Sequence, residues 1–184
     1  YLVNEKVSAG LKVLAEGAQG TMLDLDFGSY PFVTSSNTIT AAVCTGLGIA
    51  PSKVGEVFGI VKAYATRVGS GPFPTEQDNE EGKILREYGH EFGSTTGRPR
   101  RCGWLDIVAL KYAIMLNGVT KLFMTKADVL NTFPSIKAGV KYNHKGQQIE
   151  HIPFESSYEK LEPLYKEFKG WQSDISGIRN PAEI

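Results

Sequence analysis

The sequence is short of several things, and each shortage excludes something. It holds two cysteines, Cys44 and Cys102, far apart and without the C-x-x-C spacing of a metal or redox pair. Such residues read as core or loop thiols of a reducing compartment, not as a disulfide framework. Neither sign of charge is in excess: 20 lysines and arginines face 20 aspartates and glutamates, a formal net charge of zero. A dedicated nucleic-acid binder is normally basic, so that class is disfavoured. No apolar run approaches the ~20 residues that span a bilayer, and the N-terminus has no signal-peptide pattern. Both absences predict a cytoplasmic protein with no membrane partner. Internal repeats, low-complexity tracts and long linkers are missing too. So is an initiator methionine: the chain opens YLVNEKVSAGLK, as though a helix had been entered partway, and reads as a piece of something longer.

What is present suffices for a core. Of 184 residues, 41% are hydrophobic, which suits one globular domain. Strands and helices alternate along most of the chain and a hairpin follows, the order of an α/β fold with an antiparallel addition. Residues 11–16 (LKVLAE) predict a buried strand that ends in a glycine-bounded turn around Gln19. Ser36 or Asn37 is placed to cap a helix over 38–45, and the polar run 34–37 offers a phosphate seat at its N-terminus. A short helix is expected at 51–57, a strand over 58–68, and a Gly/Pro-rich loop over 69–76. Ile84, Leu85 and Tyr88 mark one face of a helix over 80–88. Residues 104–116 (WLDIVALKYAIML) predict an apolar helix stopped by Asn117-Gly118, followed by a strand over 119–124. Two strand-like runs, 136–142 and 147–152, join through Asn143-His144-Lys145-Gly146 as a hairpin. Tyr158, Leu161, Leu164, Tyr165 and Phe168 repeat at helical spacing, and Pro163 makes this a broken helix or one starting near Leu161. Residues 11–135 thus form the α/β part of a single domain, and 136–171 the hairpin and helix addition.

Three places carry chemistry. In Gly93-Ser94-Thr95-Thr96-Gly97-Arg98-Pro99-Arg100-Arg101, two glycines frame hydroxyls and precede three arginines. Glycine lets backbone N–H groups converge on an anion, the hydroxyls add short donors, and arginine supplies a planar fork for carboxylate or phosphate. A small anionic ligand suits this loop; a solvated basic turn or a nucleic-acid contact is the plainer alternative. Gln19 can present a donor and an acceptor to a base edge, or simply face water. Lys126-Ala127-Asp128 follows a strand. Its aspartate can accept from the N1–H and exocyclic amine of guanine, while the lysine stem lies along a purine face. Lys-x-Asp is also common without any such role.

Taken in order, EGAQGTMLDLDFGSYPFVTSSNT, KAYATRVGSGPFPTE, EFGSTTGRPRRCGW and MTKADVL closely resemble the adenylosuccinate synthetases, from about residue 11 to 171. The resemblance implies a P-loop-related α/β fold with a mainly parallel sheet, flanking helices and a small antiparallel hairpin. It also implies a homodimeric, magnesium-dependent ligase. Such enzymes join IMP and L-aspartate, using GTP as co-substrate, to give adenylosuccinate, GDP and phosphate on the way to AMP. By the same resemblance Gln19, Thr34, Val68 and Arg98 contact IMP: Thr34 through its hydroxyl to the phosphate, Val68 through its backbone to the ribose. Ser94, Thr95, Thr96, Gly97, Arg98, Pro99 and Arg100 form the loop that closes over aspartate. Arg100 reaches the GTP side as well, and Lys126, Ala127 and Asp128 read the guanine.

The departures are as informative. The family's glycine-rich phosphate loop (GDEGKG), with its catalytic aspartate and magnesium ligands, does not occur in the sequence. Neither does the neighbouring general-acid histidine; His90, His144 and His151 match none of that pattern and read as surface or packing residues. The GIGPxY segment with its lysine, the arginine that crosses the dimer, and the C-terminal guanine-pocket segment are also missing. The sequence is therefore expected to be a central portion, holding binding residues without catalytic or metal-ligating ones, and to be inactive by itself. Two other readings follow from these gaps. One is a binding-only GTP or purine-nucleotide module. The other is an RNA-contacting domain using Arg98, Arg100 and Arg101, which neutral charge disfavours.

Overall fold

The computed structural model describes residues 1–153, 160–180 and 182. They divide into two compact units, Tyr1–Gly59 with Lys111–Leu122, and Ile60–Leu110 with Phe123–Ile184. The helices are α1 (Leu2–Ser8), α2 (Ala42–Leu47), α3 (Glu80–Tyr88) and α4 (Ile107–Asn117). The strands are β1 (Phe58–Lys62), β2 (Tyr64–Arg67), β3 (Arg101–Asp106), β4 (Lys121–Thr125), β5 (Ser135–His144), β6 (Gln147–Ile149) and β7 (Glu162–Lys169). Single 3-10 turns occur at Thr21–Leu23, Pro51–Lys53 and Ala127–Leu130. Among the described residues no helix is long and apolar enough to cross a membrane.

The expected α/β class holds. β1 pairs with β4. The Thr120 N–H donates to Val57 O and the Ala63 N–H to Thr125 O, so numbers rise together along both strands, as in parallel pairing. The larger sheet runs β2-β3-β5-β6, with β7 also on β5. There β3 and β5 are parallel, and the β2–β3, β5–β6 and β5–β7 pairs are antiparallel. The hairpin lies where expected: Lys145 and Gly146 both take positive φ (51° and 79°), the geometry of a tight two-residue turn whose twist suits the strands. Helix α3 matches its sequence bounds, because Asn79 accepts from the Gly82 N–H (3.2 Å) and caps it.

Five local expectations are corrected. Residues 11–16 form no strand; they are irregular and exposed, since a short apolar run makes a strand only where a neighbour completes the ladder. The single strand over 58–68 is two, β1 and β2, broken at Ala63 because each pairs elsewhere. The helix expected from residue 38 begins at Ala42 with no side-chain cap. The turn at 51–57 is shorter, a 3-10 turn ending at Lys53. In 104–116 the first three residues belong to β3, and the helix starts only at Ile107. Asp106 makes that change, its carboxylate accepting from the Ala109 N–H (3.0 Å) at the start of α4.

The last third departs most. Leu161, Leu164, Tyr165 and Phe168 do not mark a helix. Residues 162–169 are strand β7, which satisfies its backbone against the ten-residue β5, with Pro163 opposite Tyr142. Tyr158 lies outside the described residues.

The main core of the second unit is Tyr64, Leu85, Cys102, Trp104, Val129, Leu130 and Phe133, with Trp104 edge-on to Phe133 at 5.1 Å between ring centres. The Trp104 N–H donates to Glu81 (2.9 Å), so its one polar atom is not stranded. Gly103 admits the neighbouring chain: a Cβ there would lie 2.2 Å from the Thr75 carbonyl oxygen. Burial pushes the Cys102 thiol up to about 11, the mark of an inert core thiol.

Candidate functional site

In the first unit the structure brings Gln19 and Thr34 together. The Gln19 amide donates to the Thr34 hydroxyl (3.1 Å). Gln19 stands at φ 66°, a left-handed conformation that a non-glycine residue adopts at some cost and that is often found at ligand sites. Thr34 is not at a helix N-terminus. The phosphate seat expected there is corrected to a loop, because α2 starts at Ala42 and Ser36 and Asn37 cap nothing.

That loop is organised by Asp24, fully buried, an anchor the sequence reading did not single out. One carboxylate oxygen accepts from the Asp26 and Phe27 N–H groups, each at 3.0 Å. The other accepts from Thr38 (2.6 Å) and Ile39 (3.2 Å). Burial alone would raise its pKa. The four backbone donors outweigh that and hold it below the usual carboxylate range. Thr34 hangs on the same loop through its N–H to Leu23 O (2.8 Å). Asp24→Asn turns an amide N–H₂ toward donors. It is expected to lower unfolding free energy by about 2 kcal/mol, read as an earlier midpoint in urea denaturation of the full-length protein.

In the second unit the arginine loop is a small exposed lobe. Phe92 and Pro99 bridge its base, the Gly93 N–H donates to Arg98 O (2.9 Å), and the Gly97 N–H, from a residue at φ 64°, donates to Gly93 O (2.8 Å). Ser94, Thr95, Thr96, Gly97, Arg98 and Pro99 are all exposed. The three arginines have different surroundings. Arg101 forms a bidentate ion pair with Glu76 and also donates to the carbonyls of Gly69 (3.1 Å) and Gly71 (3.0 Å), so it holds the Gly/Pro loop. Arg100 is half-buried on Glu91 (2.7 Å). Arg98 alone of the three has no hydrogen bond or ion pair to its guanidinium among the described residues. The run is thus not a patch of three available cations, which weighs against the RNA-contact reading.

Lys126 and Asp128 flank the exit of β4. Lys126 stands at φ 58°, and the 3-10 turn that follows buries Val129 and Leu130 in the core. This turns the Lys126 ammonium onto the Gly89 carbonyl (2.5 Å) and to 3.9 Å from Glu91, and leaves Asp128 exposed. Ala127 packs against the core. Val68, just beyond β2, is 63% exposed at the start of the Gly/Pro loop.

The residue that sequence reasoning missed is Glu91, 1% exposed. Oε1 accepts from Lys62 (2.8 Å) and from the Tyr64 hydroxyl (2.5 Å); Oε2 accepts from Arg100 (2.7 Å). Burial pushes this carboxyl up, but the donors from Lys62, Tyr64 and Arg100 prevail and hold it below its ordinary 4.5. Burial and the Glu91 charge push the Tyr64 phenol up, so it stays a donor. A lowered pKa gives stability that is complete above the unfolded value and is lost as pH falls through the folded one. The Glu91 contribution is therefore expected to be constant from pH 7 to 5 and to decline progressively as pH falls below about 4.5; acid-unfolding curves of the full-length protein and its Glu91→Gln form should draw together over that descent. The signal was available. Glu91 is the last carboxylate before the loop that carries Arg98, Arg100 and Arg101.

An α/β protein with a hydroxyl-and-arginine loop and a Lys-x-Asp turn seated on one buried carboxylate has the make-up of a binder of small anionic molecules. Comparison with known proteins makes the class particular. The chain belongs to the adenylosuccinate synthetase family, whose sequence model matches residues 1–184. It is 59% identical to the adenylosuccinate synthetase of Azobacteroides pseudotrichonymphae over 182 residues, covering 99% of this chain and 43% of that protein. It is also 59% identical to the Porphyromonas gingivalis enzyme over 184 residues, again 43% of that protein. The fully ligated adenylosuccinate synthetase from Plasmodium falciparum superposes with a TM-score of 0.93 at 45% identity, covering all of this chain and 44% of that one. The chain thus spans about 43% of the length of the curated relatives it matches.

Proposed function

We propose that the protein to which this chain belongs joins IMP and L-aspartate at the expense of GTP, releasing adenylosuccinate, GDP and phosphate, as a cytoplasmic homodimer. The observation that carries this reading is family membership along all 184 residues. The convergence of Arg100 and Lys126 on Glu91, one from the aspartate loop and one from the guanine-reading turn, is its geometric counterpart.

In this reading GTP phosphorylates the purine 6-oxygen, a poor leaving group, and the aspartate amine then displaces phosphate at C6. The residues in hand bind and aim. Thr34 and Gln19 hold IMP by its phosphate and base, with the Val68 backbone at the ribose. Ser94, Thr95, Thr96 and Gly97 present hydroxyl and N–H donors to the aspartate carboxylates. Arg98 grips aspartate and IMP together, which points the amine at C6 and supplies the positioning part of catalysis. Pro99 stiffens the turn toward Arg100 on the GTP side, and Lys126, Ala127 and Asp128 seat the guanine. Among the described residues no group of three or more His, Cys, Asp or Glu side chains is placed to hold a metal ion.

The test is a synthetase assay on the full-length gene product with IMP, GTP and aspartate, following adenylosuccinate. Product that requires all three substrates supports the reading. Nucleotide binding without product would replace it with the binding-only module.

A further inference from the structure

We propose that Glu91 is a positioning residue that ties the aspartate loop to the guanine-reading turn, so that one carboxylate sets the affinity for two substrates at once. The inference rests on the functional reading above for the identity of those substrates.

The geometry is specific. Arg100 is fixed three times over, twice to Glu91 and once to helix α3. Its N–H donates to Glu91 O (2.9 Å), its Nη1 to Glu91 Oε2 (2.7 Å), and its own carbonyl accepts from the Arg86 side chain (2.8 Å). Glu91 is itself pinned to the end of α3 through its N–H to Arg86 O (2.8 Å). Lys126 reaches the same strap from β4, donating to Gly89 O and lying 3.9 Å from Glu91 Oε1. Gly89 is packed too closely to carry a side chain, for a Cβ there would lie 2.2 Å from the Tyr64 hydroxyl. His90 between them turns the chain at φ 51°.

The electrostatics point the same way. Lys62, Arg100 and Lys126 surround one buried carboxylate. Its charge lets three cations stand close together, and without it they repel one another. Neutralising Glu91 would therefore loosen Arg100 and Lys126 in the same event, and with them the aspartate loop and the guanine turn. Gln19 and Thr34, in the other unit, have no part in this cluster.

The experiment is steady-state kinetics of full-length Glu91→Gln and Glu91→Asp, with GTP binding measured separately by calorimetry. Glu91→Gln is expected to raise KM for aspartate and for GTP together, each about tenfold, with a smaller rise in KM for IMP, about threefold, because only Arg98 among the residues proposed for IMP lies in that loop, and with kcat reduced less than either of the two larger ratios. Glu91→Asp, which keeps the charge, should recover part of both losses. A folded Glu91→Gln protein in which only one of the two constants moves, or in which the IMP constant moves equally, would overturn the proposal. Should Glu91→Gln fail to fold, Tyr64→Phe removes one donor to the carboxylate while keeping every charge. It should shift both constants in the same direction by a smaller factor, and unchanged constants would count against the idea. The functional reading fails separately: a wild-type protein that binds GTP but makes no product loses the ligase assignment. Weaker GTP binding by Glu91→Gln then supports the Glu91 inference, and equal binding sinks it.

Discussion

Arg98→Leu in the full-length protein is expected to lower kcat/KM for aspartate by roughly 100-fold, about 3 kcal/mol, the usual cost of truncating one partner of a desolvated charge pair. GTP affinity should stay within about twofold, since no guanine contact is assigned to this side chain. The structure makes the experiment clean. Arg98 is exposed and its guanidinium has no partner among the described residues, while its hydrogen bonds within the lobe are made by its backbone, the carbonyl accepting from the Gly93 N–H and the N–H donating to the Thr96 hydroxyl. Leucine keeps that carbonyl, so folding and loop shape are preserved and the loss falls on the ligand. Initial-rate kinetics with aspartate varied at saturating IMP and GTP, beside GTP titration, give the answer. An unchanged aspartate term would remove Arg98 from the site.

Asp128→Asn is expected to reduce the preference for GTP over other nucleoside triphosphates by about 100-fold, because a site built to pair with polar groups discriminates strongly through those pairs. The carboxylate can accept two donors from guanine; an amide offers one oxygen and turns an N–H₂ against the second donor. By the same chemistry a purine with a carbonyl in place of the 2-amino group should gain. Asp128 is exposed, and the turn that carries it is anchored by buried Val129 and Leu130, so stability should hold. Competition among triphosphates in the synthetase assay measures the ratio. Equal discrimination by the variant would show that the base is read elsewhere.

These two effects differ from the proposed Glu91 effect in kind. Arg98 and Asp128 are exposed side chains at the ends of well-supported turns, and each is expected to act by direct contact, Arg98 on aspartate and IMP and Asp128 on GTP alone. Glu91 is buried behind two such turns and acts on their placement, so its signature is a joint change.

Much of the candidate site was legible in the sequence because its signals are local. The arginine loop, the Lys-x-Asp turn and the Gln19 turn are short runs whose glycine, hydroxyl and charge content states what they can bind without reference to anything distant. Helix α3 was legible for the same reason: Ile84, Leu85 and Tyr88 fall at helical spacing within one short run. What was not legible depends on partners far along the chain. Residues 104–106 look like the start of an apolar helix until β2 pairs with Trp104 and β5 with Leu105 and Asp106. Leu164, Tyr165 and Phe168 keep helical spacing, yet β5 takes them as a strand. The helix expected from residue 38 is held off by Asp24, which takes the Thr38 and Ile39 N–H groups from 14 and 15 residues upstream. Glu91 is the clearest case. Its position before the arginines was visible, but Lys62, Tyr64 and Lys126 reach it from other strands and their ends. The sequence by itself determined the α/β class and the family. Only the tertiary structure decided which strands pair and which carboxylate holds the site, because sheet ladders and buried charge clusters are closed by groups that sequence distance does not relate.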